Sequence, residues 1–320
     1  MSGKFLTRKR CSTSVKNSTI LLERRVPASD LSGRPTVLKM QSLNDLWFGI
    51  TKHKGKTVTY IFTCFSVLFT LVKIVTQFFP SVQITGVAPL VIGIIISVGW
   101  GLKKVWKPSK TSIRIANSST SIEIVFGDIF LQDGVRAIGV SEFFETELGT
   151  PVSDKSLHGA FLKRHFSGYA ESIDTQLATD LHKEEPTEVA IKACGKKLCY
   201  PIGTTALIRV NEERYILFAL TKTNPENCKV YSDVELMWRA LHRLWQRARV
   251  ECNGHTLTLP LVGSGLSGLN LPTRDLLNLV ILSAITESKA HEITQKIRIV
   301  LRRDRFEGID LREVKEHWET

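Results

Sequence analysis

Apolar positions along the chain fall into two regimes that change over near residue 110. Before it they form two long runs, TVTYIFTCFSVLFTLVKIVTQFF at 57–79 and VAPLVIGIIISVGWGL from residue 87, separated by the short, uncharged PSVQITG. A bilayer core about 30 Å thick takes roughly 20 helical residues. The first run supplies that length, and the second reaches it when extended to Trp106. Apolar residues lie all round both runs, so the pattern predicts a two-helix transmembrane hairpin, 57–79 and 87–106, rather than a pair of buried core helices. A signal peptide does not fit, because more than fifty residues precede the first run.

After residue 110, short β-branched and aromatic runs alternate with helical patterns, which predicts an α/β layered domain over 111–320. Expected strands are 112–116, 122–126, 137–140, 206–209, 215–221, 256–262 and 297–301; expected helices are 157–169, 230–249, 273–288 and 311–318. Several strands are continuously apolar, as strands covered on both faces are.

Charge changes the picture at the N-terminus. The formal net charge is +12, and residues 1–56 hold twelve Lys or Arg against Glu23, Asp30 and Asp45, leaving 31 basic against 28 acidic residues afterwards. Residues 1–50 therefore predict a basic, loosely ordered arm beside anionic headgroups, with a surface helix possible over 43–50. A nucleic-acid arm is the alternative there, but no nucleic-acid partner is expected. Lys52, Lys54 and Lys56 precede the first run and Lys103, Lys104, Lys107 and Lys110 follow the second, so the positive-inside rule places both termini in the cytoplasm.

Thr59, Thr63, Ser66, Thr70, Lys73 and Gln77 make a polar stripe on the first helix, while Gly93, Ser97 and Gly101 make a small-residue face on the second. Either face suits helix packing or an oligomer interface, and the polar one also suits a water-lined surface. The six cysteines suggest reduced thiols, and Cys194 and Cys199 lack the further ligands of a zinc site.

Two motifs carry candidate chemistry. IEIVFGDI at 122–129 ends a strand in an acid, Asp128, and TLTLPLV at 256–262 runs into GSGLSGLN before a helix opened by Pro272. The glycines Gly263, Gly265 and Gly268 let backbone amides approach a phosphate, whose charge the following helix dipole favours. A dinucleotide-binding Rossmann half and a P-loop are both excluded, the first by the 52 residues left after Gly268 and the second by the missing Gly-Lys-Ser/Thr. His158 and Glu142 are the nearest thing to an acid and base pair.

An early strand-Gly-Asp-Ile followed by a late strand-Gly-x-Gly-x-x-Gly-helix resembles the macro domain, a three-layer α/β/α module that binds ADP-ribose. The resemblance covers roughly 112–305 and assigns Asp128 and Ile129 to the adenine. It assigns Gly263, Ser264, Gly265, Leu266, Ser267 and Gly268 to the diphosphate. Ser141 stands where catalytic members carry an asparagine, and Ser156, Leu157, His158 and Gly159 stand for the family's glycine run, so no enzymatic activity is expected. A membrane-tethered macro hydrolase is the alternative. Thr204, Thr205 and Phe306 are ligand-binding candidates by position.

The stretch FFET at 143–146, YPIGTTALI at 200–208 and the two apolar runs resemble the macro-domain membrane effectors of Thoeris anti-phage defence. That resemblance implies a multi-pass protein of the bacterial inner membrane, with a partner TIR-domain enzyme that converts NAD into an ADP-ribose conjugate, histidine-ADP-ribose. It further implies that the bound effector forms a homo-oligomer and disrupts the membrane, with no metal and no cofactor.

Overall fold

A computed structural model describes residues 54–79, 86–167, 170–265, 269–306 and 308–319. The expected basic arm and the expected surface helix at 43–50 lie outside the described residues.

Helix α1 spans Lys54–Phe78 and α2 spans Ala88–Val105, with a proline in its first turn. The two pack on each other through small residues. Ser97 is buried and its hydroxyl donates to the Gly93 carbonyl at 2.7 Å, while a side chain at Gly101 would meet the Ile61 side chain at 2.3 Å. The small-residue face is thus used within the hairpin. The polar stripe points away from α2: Thr59, Thr63, Thr70, Lys73 and Gln77 are exposed and Ser66 is half-buried. Thr59 and Thr70 donate to the carbonyls of Gly55 and Ser66, four residues back, at 3.0 and 2.8 Å. Within α1, Thr57–Phe78 is long and apolar enough to cross a membrane, with a mean hydropathy of 2.0.

The rest of the described chain is built on an eight-stranded sheet: β1 Lys110–Arg114, β2 Ser121–Phe126, β3 Val135–Ser141, β6 Thr205–Val210, β7 Glu213–Thr223, β8 Val230–Tyr231, β9 Leu257–Pro260 and β10 Lys296–Leu301. A separate small hairpin pairs β4, Thr187–Glu188, with β5, Leu198–Cys199. Strand order is β1-β2-β10-β9-β3-β7-β6, with β8 beside β7. The five interior strands run parallel and β1 and β6 close the edges antiparallel.

Side-chain alternation splits the core into two layers, as the two-residue strand period requires. Ile216 and Phe218 of β7 face Met237, Leu241 and Trp245 on α5 (Val234–Glu251), Leu277 and Ile281 on α6 (Thr273–Ala290) and Leu311 on α7 (Leu311–Trp318). Leu217 and Ala219 face Phe161 and Leu162 on α3 (Leu157–Phe166) and Ile173 and Leu177 on α4 (Ala170–Leu181). The architecture is a three-layer α/β/α domain preceded by a helix pair.

Three expectations about elements change. Helix α4 was not expected, although Ile173, Leu177 and Leu181 recur every four residues on its buried side. Residues 230–231, expected to open a helix, pair with β7 instead; α5 starts at Val234 because Asp233 caps it, its carboxylate accepting from the Leu236 amide at 2.8 Å. Cys194 and Cys228, expected as thiols, are joined by a disulfide where the 193–195 loop meets the turn after β7, held also by the Ala193 amide on the Pro225 carbonyl at 2.9 Å.

Candidate functional site

All five parallel strands end on the same side, and an open cavity of about 1000 Å³ lies across those ends. That volume is at the top of the range of roughly 300–1,000 Å³ usual for small-ligand sites. Its walls come from β3, the start of α3, β7 and the turn after it, the turn after β9, and Arg302 just past β10.

The turn after β9 is shaped by Gly263, whose φ of +81° is open to glycine and whose absent side chain would lie 2.3 Å from a Leu269 methyl. Ser264 donates to the Leu261 carbonyl at 2.7 Å and fixes the turn. Gly265 borders open space, leaving backbone at the cavity wall accessible. Leu266, Ser267 and Gly268 lie outside the described residues.

Helix α3 enters the cavity wall through a tight cap. The Ser156 hydroxyl accepts from the Gly159 amide at 2.9 Å and donates to the Ser153 carbonyl at 2.7 Å. Gly159 is needed for closeness, since a Cβ there would come within 2.2 Å of the Ser153 carbonyl oxygen. Leu157 and His158 then line the cavity. His158 is only 7% exposed; burial, helped by the charge of Lys196, pushes its pKa down to about 3, so the imidazole is neutral. Its Nε2 has no protein partner, nor do the buried Ser141 Oγ at the end of β3 and Thr223 Oγ1 at the end of β7.

Ser141, Ser156, Leu157, His158, Gly263, Ser264 and Gly265 therefore meet around one cavity. Asp128, Ile129, Gly159, Thr205 and Phe306 do not line it. Asp128 sits exposed at the end of β2, two strands from β9, and caps a short turn by accepting from the Phe130 amide at 3.0 Å. Ile129 is buried beneath that turn, and Thr205 lies on edge strand β6 paired with Phe218. Thr204 is buried beside it. Phe306 is buried edge-on against Phe126, with ring centres 5.0 Å apart, so its face is not offered to a base.

Sequence reasoning missed Thr223, Glu145, Lys155, Lys229 and Arg302 at the cavity wall. Lys155, Lys229 and Arg302 supply positive charge for a phosphate-bearing ligand. Glu145, from the FFET stretch, is already paired: it binds the Lys192 ammonium and accepts from the Lys196 amide at 3.0 Å, while Lys192 lies 3.9 Å over the Phe143 ring. Glu142, the expected base, is also engaged, accepting from the Thr223 amide at 3.0 Å. Among the described residues, no group of three or more His, Cys, Asp or Glu side chains is placed to hold a metal ion.

The helix pair meets the domain close to this edge of the sheet. Lys107, just past α2, is buried, donates to the Phe306 carbonyl and lies 4.9 Å from the Phe306 ring. Arg312 donates to the Lys104 and Trp106 carbonyls at 2.5 and 3.5 Å while Asp310 holds its guanidinium through two oxygens. The last turn of α2 is thus capped by the domain, and Phe306 connects it through Phe126 to the strand that ends in Gly127-Asp128.

Comparison with known proteins adds a family. The model of the family described as "Thoeris protein ThsA, Macro domain" matches residues 122–302. Similar solved structures include the macrodomain of Oceanobacillus iheyensis with ADP, 14% identical over 65% of this chain and 96% of that one, with a TM-score of 0.46. Another is the Trypanosoma brucei macrodomain in complex with ADP-ribose, 10% identical over 60% and 68%, with a TM-score of 0.40. No curated protein matches the chain.

Proposed function

Because this chain belongs to the ThsA macro-domain family of Thoeris, a family that binds ADP-ribose, we propose that it is a membrane-anchored sensor of an NAD-derived ADP-ribose conjugate. The observation that carries this reading is the family match lying over a cavity of about 1000 Å³ whose walls offer a glycine turn and three cationic side chains. In this reading the conjugate is histidine-ADP-ribose, made by a partner TIR-domain enzyme when infection is sensed. The chain releases no product. Neutral His158 and occupied Glu142 support this, since neither offers a group poised to move a proton near neutral pH.

The helix pair is the output. Its exposed apolar surface suits lipid, both its ends carry lysines, and in the bacterial inner membrane this sets both termini on the cytoplasmic side. Ligand binding favours a homo-oligomer whose hairpins disrupt the bilayer, through the outward polar stripe that α2 leaves uncovered. A ligand shifts such an equilibrium only by its differential affinity for the two states, and the Lys107–Phe306 joint provides a physical route between them.

The full chain in vesicles loaded with a quenched dye tests this reading. Added histidine-ADP-ribose should release the dye and be recovered intact by chromatography, and Lys107→Met should leave ligand binding while weakening release. Dye retention with ligand bound would remove the membrane output; recovery of free histidine and ADP-ribose would turn the sensor into a hydrolase.

A further inference from the structure

The order of strand ends gives the cavity a direction. Along the sheet, β9 offers the glycine turn, β3 offers Ser141 with the start of α3 alongside, and β7 lies beyond both. A nucleotide with its diphosphate on the glycine turn and its base towards the end of β2 extends its terminal ribose across β3, so anything attached to that ribose reaches the end of β7.

That end of the cavity is where unsatisfied polarity collects. Six buried side-chain polar atoms among the described residues lack a protein partner, and three of them, Ser141 Oγ, His158 Nε2 and Thr223 Oγ1, belong to residues lining this one cavity. Two of the other three are arginine Nε atoms whose guanidinium groups pair through their remaining nitrogens. Buried polar groups are normally partnered, so a cluster of exceptions in a cavity wall calls for a partner outside the chain. The chemistry of that partner follows from theirs. Two hydroxyls and a neutral imidazole both donate and accept hydrogen bonds and carry no charge. Glu145, the nearby acid, is already held by Lys192 and the Lys196 amide, so an added cation would find no free counter-charge in it.

The walls are held in place. The Thr223 amide is fixed on Glu142, Glu142's own amide donates to Thr221, and the Cys194–Cys228 disulfide ties down the turn that follows β7. Such preorganisation favours selectivity over adaptability.

We propose that Ser141, His158 and Thr223 form a conjugate subsite, which reads an uncharged hydrogen-bonding group carried on the terminal ribose and so separates a conjugate from free ADP-ribose. The subsite rests on the nucleotide-binding reading above and names the residues that set its selectivity.

Calorimetry on the full chain in nanodiscs, with ADP-ribose and histidine-ADP-ribose as the two probes, tests it through the ratio of their affinities. In the unaltered chain the conjugate should bind at least about tenfold more tightly, roughly what one well-made hydrogen bond supplies. Thr223→Val and Ser141→Ala should each bring that ratio towards one, while Thr223→Ser, which restores the hydroxyl, should keep it. A ratio unchanged in Thr223→Val and Ser141→Ala, or already near one before substitution, overturns the subsite and leaves nucleotide binding standing; those orphan atoms then hold water only. Failure of the unaltered chain to bind either probe overturns the nucleotide reading and the subsite together.

Discussion

The helix pair and the α/β domain put the same kinds of side chain to opposite use. In α1 and α2 the large apolar residues point outward, Phe62 at 68% exposure and Ile95 at 64%, while small residues fill the contact between helices. In the domain, Trp245, Phe161 and Phe218 are fully buried and polar groups fill the rim of one cavity. The contrast separates what each part can be asked to do: burial of apolar area stabilises the domain by itself, whereas the hairpin's apolar area is left for a second medium to cover.

Paired substitutions break that comparison most sharply in the core. Trp245→Ala removes a fully buried ring and its 2.8 Å hydrogen bond to Ser283, and should cost the domain about 3–5 kcal/mol in chemical denaturation. Ile95→Ala, on the hairpin, should move the same transition by less than about 0.5 kcal/mol in detergent. Comparable losses from both would mean that the two regions share one core.

Glycines give the next contrast. Gly159→Ala drives a methyl into the Ser153 carbonyl oxygen and should cost about 1–3 kcal/mol with loss of the α3 entry, visible as reduced protection of the 153–160 amides in hydrogen exchange. Gly93→Ala meets nothing within 4 Å and should be silent in the same assay.

The smallest effect is one of pH. His158 has a pKa of about 3 when folded, against about 6.5 in the unfolded chain. Between those values the unfolded chain takes up a proton that the folded one refuses. The stability this neutral residue preserves is therefore complete above pH 6.5 and falls towards pH 3, by up to about 1.4 kcal/mol per unit. The denaturation midpoint of His158→Gln should fall less steeply over that window. Identical slopes count against a buried neutral imidazole.

Legibility in the sequence followed the physics of each region. Both apolar runs were visible because nothing polar interrupts them for long, and helices Lys54–Phe78 and Ala88–Val105 differ from the expected runs by three residues or fewer at each end. The parallel strands were visible because burial on two faces makes them continuously apolar; Ile297–Leu301 lies within β10, Lys296–Leu301. Helix α4 was hidden because only Ile173, Leu177 and Leu181 anchor it among polar residues.

In the site, Gly263 was legible as a turn glycine and Ser156 as part of a helix start. Thr223 was not, since a threonine at the frayed end of a strand reads as loop until β8 is seen to pair with it. Phe306 misled because proximity in sequence to β10 says nothing about Phe126, the ring that buries it. The disulfide escaped because a 34-residue separation carries no pairing signal without the fold.

The most direct test of the central claim is isothermal titration of the full chain in nanodiscs with histidine-ADP-ribose, followed by chromatography of the ligand recovered. The account predicts saturable binding at one site per chain with the conjugate returned unchanged. Absence of binding heat at millimolar conjugate, from protein shown to be folded by its denaturation transition, would contradict it.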